Sequence, residues 1–288
     1  MHDLSLRFLA NPELAKRGAV PFVVASLLTG CGGAASLLEP AHPLPKGFVE
    51  YGAGVSTQIA LGPTDREIAK AENIENPSGP VTKDWLRGAY RASVLAPGVA
   101  PWLGGRVGLG GGNEGSLIYT GRNLRVGARH AWLWDRYALS LGGGLSSVLT
   151  HSPAEAHENE GFSSGQVWWP ASGVGLDVPL TLGYSSESDL VQAWVGARGG
   201  FEALFGDFPY TLRGESVGLD ASAQHWQAGA FVGLAVGVSP VWVRAELAGA
   251  FHGVTARASL PADADERAAR DHFSGFSLAP AGALVVQF

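Results

Sequence analysis

The sequence predicts an all-β protein, an up-and-down antiparallel β-barrel of about ten strands that crosses a membrane. Three observations carry this. Segments alternating between apolar and small or polar residues recur from residue 47 to residue 288. Tight turns and long polar loops alternate between them. Aromatic residues gather near both ends of the segments, as two lipid–water boundaries favour. Composition agrees. Of 288 residues 41 are Gly and only 16% are charged, yet no stretch approaches the ~18 consecutive apolar residues of a spanning helix. A barrel reconciles these facts, because every second strand residue turns away from lipid.

Taken in order, the chain opens with a leader. Lys16 and Arg17 precede the apolar run AVPFVVASLLTG, which is of signal-peptide length and too short for a permanent span. Leu28-Thr29-Gly30-Cys31 follows and resembles the lipobox of bacterial lipoproteins. That resemblance implies cleavage after residue 30 and acylation of Cys31 with palmitate-type chains by lipoprotein-processing machinery. Several buried chains, at about 0.8 kcal/mol per methylene, make such an anchor permanent. Cys31 is the only cysteine, so no disulfide forms within the chain. Residues 31–46, with Pro40, Pro43 and Pro45, read as the acylated residue and an extended tether.

The barrel domain then runs over 47–288. Strands are expected at 47–60, 86–95, 99–111, 115–134, 137–149, 172–184, 189–205, 224–238, 241–254 and 275–288. Tight connections fall at Ala96-Pro97-Gly98, Asp135-Arg136, Ser185 to Ser188 and Ser239-Pro240. Long ones fall at 61–85, 150–171, 206–223 and 255–274, with a short exception at 112–114. An even strand count puts both termini on the short-turn side. Pro101, Pro179 and Pro280 lie inside proposed strands, where each forfeits a ladder hydrogen bond. Were 86–111 one bent strand and another segment lost, the count would fall to eight.

The facing pattern is consistent along the chain. In 137–149, Tyr137, Leu139, Leu141, Leu145 and Leu149 share one face, and Ala138, Ser140, Gly142, Gly144 and Ser146 share the other. Trp132, Trp134, Tyr137, Tyr184 and Phe288 fall near the short-turn ends; Phe201, Trp226, Phe251 and Phe276 fall near the long-loop ends. The last thirteen residues, FSLAPAGALVVQF, alternate throughout and stop on an aromatic. This ending resembles the C-terminal strand of Gram-negative outer-membrane β-barrels, in which a terminal Phe belongs to the assembly signal. The resemblance implies an outer-membrane location, contact with the barrel-assembly machinery and outer-membrane lipids, periplasmic termini and extracellular long loops.

Read inward, the alternation places Glu50, Arg91, Arg106, Arg125, Arg129, Asp177, Arg198, Glu202, Arg244 and Glu246 in the lumen. On the lipid face an Arg near the midplane would cost about 2–4 kcal/mol, so their shared side is physically meaningful. Such a set either fills the lumen as an ion-pair network or lines a narrow, porin-like path whose surplus of arginines favours anions. Side chains nearly fill barrels of about eight strands, and ten leave little free width.

The loops carry weaker signals. Thr64-Asp65-Arg66-Glu67 is a capping box that predicts a short helix through about Asn73. Loop 150–171 gathers His151, Glu155, His157, Glu158 and Glu160 ahead of Trp168-Trp169, at a spacing that fits no tight metal motif. Loop 255–274 reads as a salt-bridged surface turn. Gly161-Phe162-Ser163-Ser164-Gly165 matches G-x-S-x-G without the strand-to-helix elbow that motif needs. Gly110 to Gly115 matches G-x-G-x-x-G without a following helix. No metal and no cofactor is expected. The net charge of −6 becomes −7 once residues 1–30, with three basic and two acidic groups, are removed, which argues against nucleic-acid binding.

Function is thus expected to be structural, surface-interacting or narrow-pore. Two alternatives stay open. One is an outer-membrane hydrolase using rim residues such as His151, His252, Asp271 and His272. The other is a periplasmic ligand-binding lipoprotein whose soluble barrel would turn its greasy face inward.

Overall fold

The computed structural model describes residues 36–72, 83–149, 171–212, 215–258 and 270–288. Ten antiparallel strands close into a barrel: β1 (Val49–Leu61), β2 (Gly98–Gly110), β3 (Asn113–Tyr119), β4 (Asn123–Trp134), β5 (Tyr137–Leu149), β6 (Ala171–Ser185), β7 (Val191–Leu212), β8 (Glu215–Val238), β9 (Val241–Ala258) and β10 (Arg270–Gln287). Each strand pairs with its chain neighbours, and β1 closes on β10. Phe288 makes the final stitch, its N–H donating to the Val49 carbonyl at 2.9 Å and its carbonyl accepting from the Val49 N–H at 3.1 Å.

The wall faces as a membrane barrel must. Leu145 (71% exposed), Val232 (54%) and Val243 (60%) point outward, whereas Arg125 and Arg244 are buried inside. Both aromatic tiers lie on the outer surface, Trp132, Trp134, Tyr137, Tyr184 and Phe288 at one level and Phe201, Trp226, Phe251 and Phe276 at the other. A greasy exterior of this kind would be costly in water. The soluble-barrel alternative, which needs Leu and Val inside, is therefore corrected by the wall itself.

Three segments differ from the sequence reading. Residues 206–223, expected as a long loop, instead continue β7 to Leu212 and β8 from Glu215, paired as far as Leu212 with Glu215. The two others change the strands themselves, with effects that cancel in the count. Residues 86–95 are not a strand but part of a helix. The connection after β1 folds as α1 (Pro63–Glu72), where the capping box is expected to start one, and α2 (Lys83–Leu95). Tyr90 and Val94, one turn apart, and Ala92 and Leu95, three apart, are all buried, which is helical spacing over-written on an alternating string. Residues 115–134 are two strands instead of one. They are broken at 120–122, where Gly121 takes φ 77° and the Thr120 N–H donates to the Asn123 carbonyl at 3.0 Å. Ala96-Pro97-Gly98 consequently joins α2 to β2 at the long-loop end, not the short-turn end.

With that change the exception at 112–114 disappears. Connections 111–112, 135–136, 186–190 and 239–240 all lie at the end that holds Phe288. Gly110, Gly111 and Gly112 have φ of 90°, 61° and 78°, a left-handed run that only glycine adopts without strain. At the other end the β3–β4 hairpin stops low, since β3 has seven residues where a spanning strand needs about 9–11. Arg122, in that low turn, donates to the Val94 carbonyl of α2 at 2.6 Å and ties the helical cap to the wall.

The segment expected as a tether is extended but does not lie outside the barrel. Residues 36–41 are buried in the lumen. Leu37 and Leu38 pack with Trp102, Ile118, Trp194, Trp242 and Val285, so the barrel axis carries an apolar layer that alternation alone would assign to lipid.

Candidate functional site

The lumen is organised in layers. Nearest the termini, Glu50 of β1 accepts paired bonds from Arg106 of β2 (2.7 and 2.8 Å) and from Arg244 of β9 (2.7 and 2.5 Å). Gln287 adds a fifth donor at 2.8 Å. Glu114 of β3 accepts from Arg106 at 3.1 Å and from Arg129 of β4 at 3.1 Å. Bidentate Arg–carboxylate geometry fixes these side chains more firmly than single contacts would.

This layer grips the N-terminal segment through the segment's backbone. The Leu44 N–H donates to Glu114 at 2.9 Å, and the Leu37 N–H donates to Glu246 at 3.0 Å. Arg129 donates to the Pro40 and His42 carbonyls, and Arg244 to the Leu38 carbonyl at 3.2 Å. Ser36 Oγ donates to the Ala279 carbonyl at 2.8 Å. His42 bonds the Arg136 carbonyl at 3.2 Å, and burial holds its pKa below the usual imidazole value. Residues 36–46 thus form a plug rising from the terminus end toward the middle of the barrel. Gly108 permits the seat, because a Cβ there would overlap the Pro45 carbonyl. Beside the plug a cavity of about 10 Å³, bordered by Glu39, Arg129, Ser140 and Glu246, has room for one water molecule.

Halfway up, Arg125 clasps Asp177 at 2.7 and 3.0 Å, and Arg198 reaches the same carboxylate at 3.2 Å. Above them a chain of hydrogen bonds crosses four strands. His225 Nδ1 lies 3.0 Å from Glu202 Oε2, and His225 Nε2 lies 2.9 Å from His252 Nδ1. His252 Nε2 lies 2.7 Å from Ser277 Oγ. Glu202 also accepts from Asn123 at 3.1 Å and pairs with Arg122 at 3.6 Å.

At the mouth, α1 and α2 cover this chain. Ile68, Ala92 and Leu95 pack on Ala60, near the end of β1. Arg91 sits on α2, not on a strand; it pairs with Glu67 at 3.8 Å and Asp271 at 3.9 Å and lies 4.9 Å from the Phe273 ring centre. Burial and the Asp271 charge raise the Tyr90 pKa well above the usual phenol value.

Nine of the ten charged residues assigned inward from the sequence are thus on lumen-facing strand positions, with Arg91 the exception. Of the hydrolase rim set, the described members His252, Asp271 and His272 are not brought together. Asp271 points inward beside Arg91, whereas its neighbour His272 points outward to Thr255 at 3.0 Å. His252 instead joins His225 and Ser277, which sequence reasoning passed over. Cys31, His151, Ser163, the acidic cluster of 155–160 and Trp168-Trp169 lie outside the described residues. Among the described residues no group of three or more His, Cys, Asp or Glu is arranged to hold a metal.

No family model matches the chain, and no curated protein matches it. Among solved structures the chain is similar to Neisserial surface protein A, at 10% identity over 84% of this chain and 96% of that one, with a TM-score of 0.32. A major outer-membrane protein of Thermus thermophilus aligns at 10% identity over 83% and 99%, with a TM-score of 0.30. The toluene transporter TodX of P. putida aligns at 11% over 85% and 90%, with a TM-score of 0.25. At likeness this low, the membrane assignment stands on the barrel's own wall.

Proposed function

We propose that this chain is a lipid-anchored outer-membrane barrel whose narrow pore is held shut by its own N-terminal segment. The observation that carries the reading is the plug, with residues 37–44 bonded to Glu114, Arg129, Arg244 and Glu246. Charged groups of three strands, β3, β4 and β9, holding one backbone segment suit a seal with defined contacts. The lipobox-like Leu28-Thr29-Gly30-Cys31 supports acylation of Cys31, and the alternating ending at Phe288 supports an outer-membrane address. Outward long loops leave a surface-interaction role compatible with the same barrel.

Planar-bilayer recording tests the seal. The purified full chain is expected to be electrically silent. A variant lacking residues 36–46, and separately Gly108→Val, should conduct with anion preference, since arginines released from the plug would line the path. Folding of each variant is checked by the shift in electrophoretic mobility on heating. Steady conductance in the full chain, or silence in both folded variants, refutes the seal. Mass spectrometry of the purified protein tests the anchor, with Cys31→Ser expected to lose the acyl mass and membrane-bound protein persisting through the barrel.

A further inference from the structure

We infer that Ser277 is a nucleophile, activated by His252 and covered by the α1–α2 cap, and that the upper lumen hydrolyses small uncharged esters. This rests on the barrel and not on the plug. The chain of bonds runs in one direction only. An ionised carboxylate accepts and never donates, so His225 Nδ1 carries the proton it gives to Glu202. With His225 as a neutral imidazole, its Nε2 is the acceptor and receives the Nδ1 proton of His252. That leaves His252 Nε2 with a free lone pair, 2.7 Å from Ser277 Oγ, so the serine must donate to it. Each tautomer follows from the one before. The outcome is the polarity of a serine–histidine–carboxylate triad, lengthened by one imidazole.

The chain of bonds ends at the mouth of the barrel. The four residues occupy lumen positions on successive strands β10, β9, β8 and β7. Ser277 pairs with Ala60, one residue below the end of β1, so it stands where the wall stops and the cap begins. Its inward neighbours along β10 are Gly275 and Ala279, and its partner across β9 is Ala250. These small residues leave room beside Ser277 that Thr64 of α1 fills over Gly275.

Ser277 is buried beneath the cap, so the reaction requires the cap to lift. It joins the wall through Gly62, at φ 72°, and through Ala96 and Gly98, at φ 43° and 132°. No atom lies within 4 Å of a Cβ placed on Gly62, so nothing packs against the chain at that point. Two of its polar links to the wall are long: Thr64 Oγ1 to the Ser274 carbonyl at 3.5 Å and Arg91 to Asp271 at 3.9 Å. Thr64 lies over Gly275, directly above the serine's row, so lifting α1 uncovers it.

With the cap raised, Ser277 Oγ adds to the ester carbonyl carbon while its proton passes to His252 Nε2. The tetrahedral adduct collapses as the ester C–O bond breaks, and His252 returns that proton to the departing alkoxide. Water, deprotonated by His252, then attacks the acyl-serine, releasing the carboxylic acid and restoring Ser277. His225 and Glu202 act as positioning residues that hold His252 in the required tautomer and balance its transient charge.

The test uses the full chain purified in detergent and a fluorophosphonate that labels activated serines, with peptide mapping and short-chain p-nitrophenyl ester hydrolysis as second readouts. Labelling at Ser277 is expected, absent in Ser277→Ala and about 100-fold slower in His252→Gln. Glu202→Gln and His225→Gln should lower kcat with KM unchanged and move the acid limb of the pH profile, and Glu202→Asp should restore part of the rate. Thr64→Ala combined with Arg91→Ala should label faster than the parent by loosening the cap. All variants are scored only where heating still shifts their mobility. The inference is overturned if neither the folded parent nor the loosened-cap variant is labelled, if Ser277→Ala labels like the parent, or if His252→Gln reacts as fast.

Discussion

Glu50 shows what a single buried carboxylate does in this wall. It neutralises two guanidiniums, Arg106 and Arg244, from strands on either side of the β1 seam where the barrel closes. Replacing it by Gln keeps the shape and removes the charge, leaving both cations buried without their shared counter-ion. Breaking a buried pair in this way costs about 3–5 kcal/mol. Glu50→Gln should therefore lower the urea midpoint of unfolding from lipid vesicles by an amount equivalent to that range, without altering the mobility of the folded form. A change below about 1 kcal/mol would mean that water reaches the pair. The sequence supports the inward placement of Glu50, because charges repeatedly fall opposite the greasy face. It does not contain the partners: Glu50 and Arg244 are 194 residues apart, and only strand order and stagger bring them together. The same holds for His225 and His252, each visible as an inward histidine beside an outward aromatic, Trp226 and Phe251, but joined only by the β8–β9 register.

At the scale of elements, strands whose two faces differ in polarity were legible and segments with mixed signals were not. β5, with leucines on one face and Gly or Ser on the other, keeps the bounds read from sequence. The stretch LRGAYRASVL alternates in the same way, yet Ala, Leu and Arg favour a helix, and Tyr90 and Val94 share a face one turn apart. The tertiary setting decides between them. The low β3–β4 hairpin leaves a place for the end of α2, which Arg122 fastens at Val94. Leu95 is the buried end of that helix, packed with Ala60, Ile68 and Ala92. Leu95→Ala should cost about 2–5 kcal/mol locally. Because the cap contributes no strand to the closed barrel, the loss should appear as faster protease cleavage between residues 62 and 97 while the mobility shift on heating is unchanged. Equal cleavage rates would show that the cap is held mainly by its polar links.

For the whole molecule, alternation, aromatic tiers and turn spacing established a membrane barrel, whereas the contents of the lumen needed three dimensions. Three inward tryptophans and a returning N-terminal segment build an apolar layer that no strand announces by itself. The proposed seal has a titratable element outside the wall. His42 sits in the plug near the Arg136 carbonyl, the Asp189 carboxylate and the Arg129 guanidinium, and burial depresses its pKa below 6.5. The seated plug therefore prefers neutral imidazole. Its stabilisation by His42 is fully present above pH 6.5, the value in the released segment, and is lost as pH falls through the lower value of the seated form. Acidifying the bath from neutral pH should raise the frequency of open events in planar bilayers, and His42→Gln, which cannot take up the proton, should flatten that dependence. Events as rare at acid pH as at neutral pH would mean the arginine grip on the plug backbone outweighs the imidazole. Openings that grow equally in His42→Gln would assign the response to other groups of the lumen.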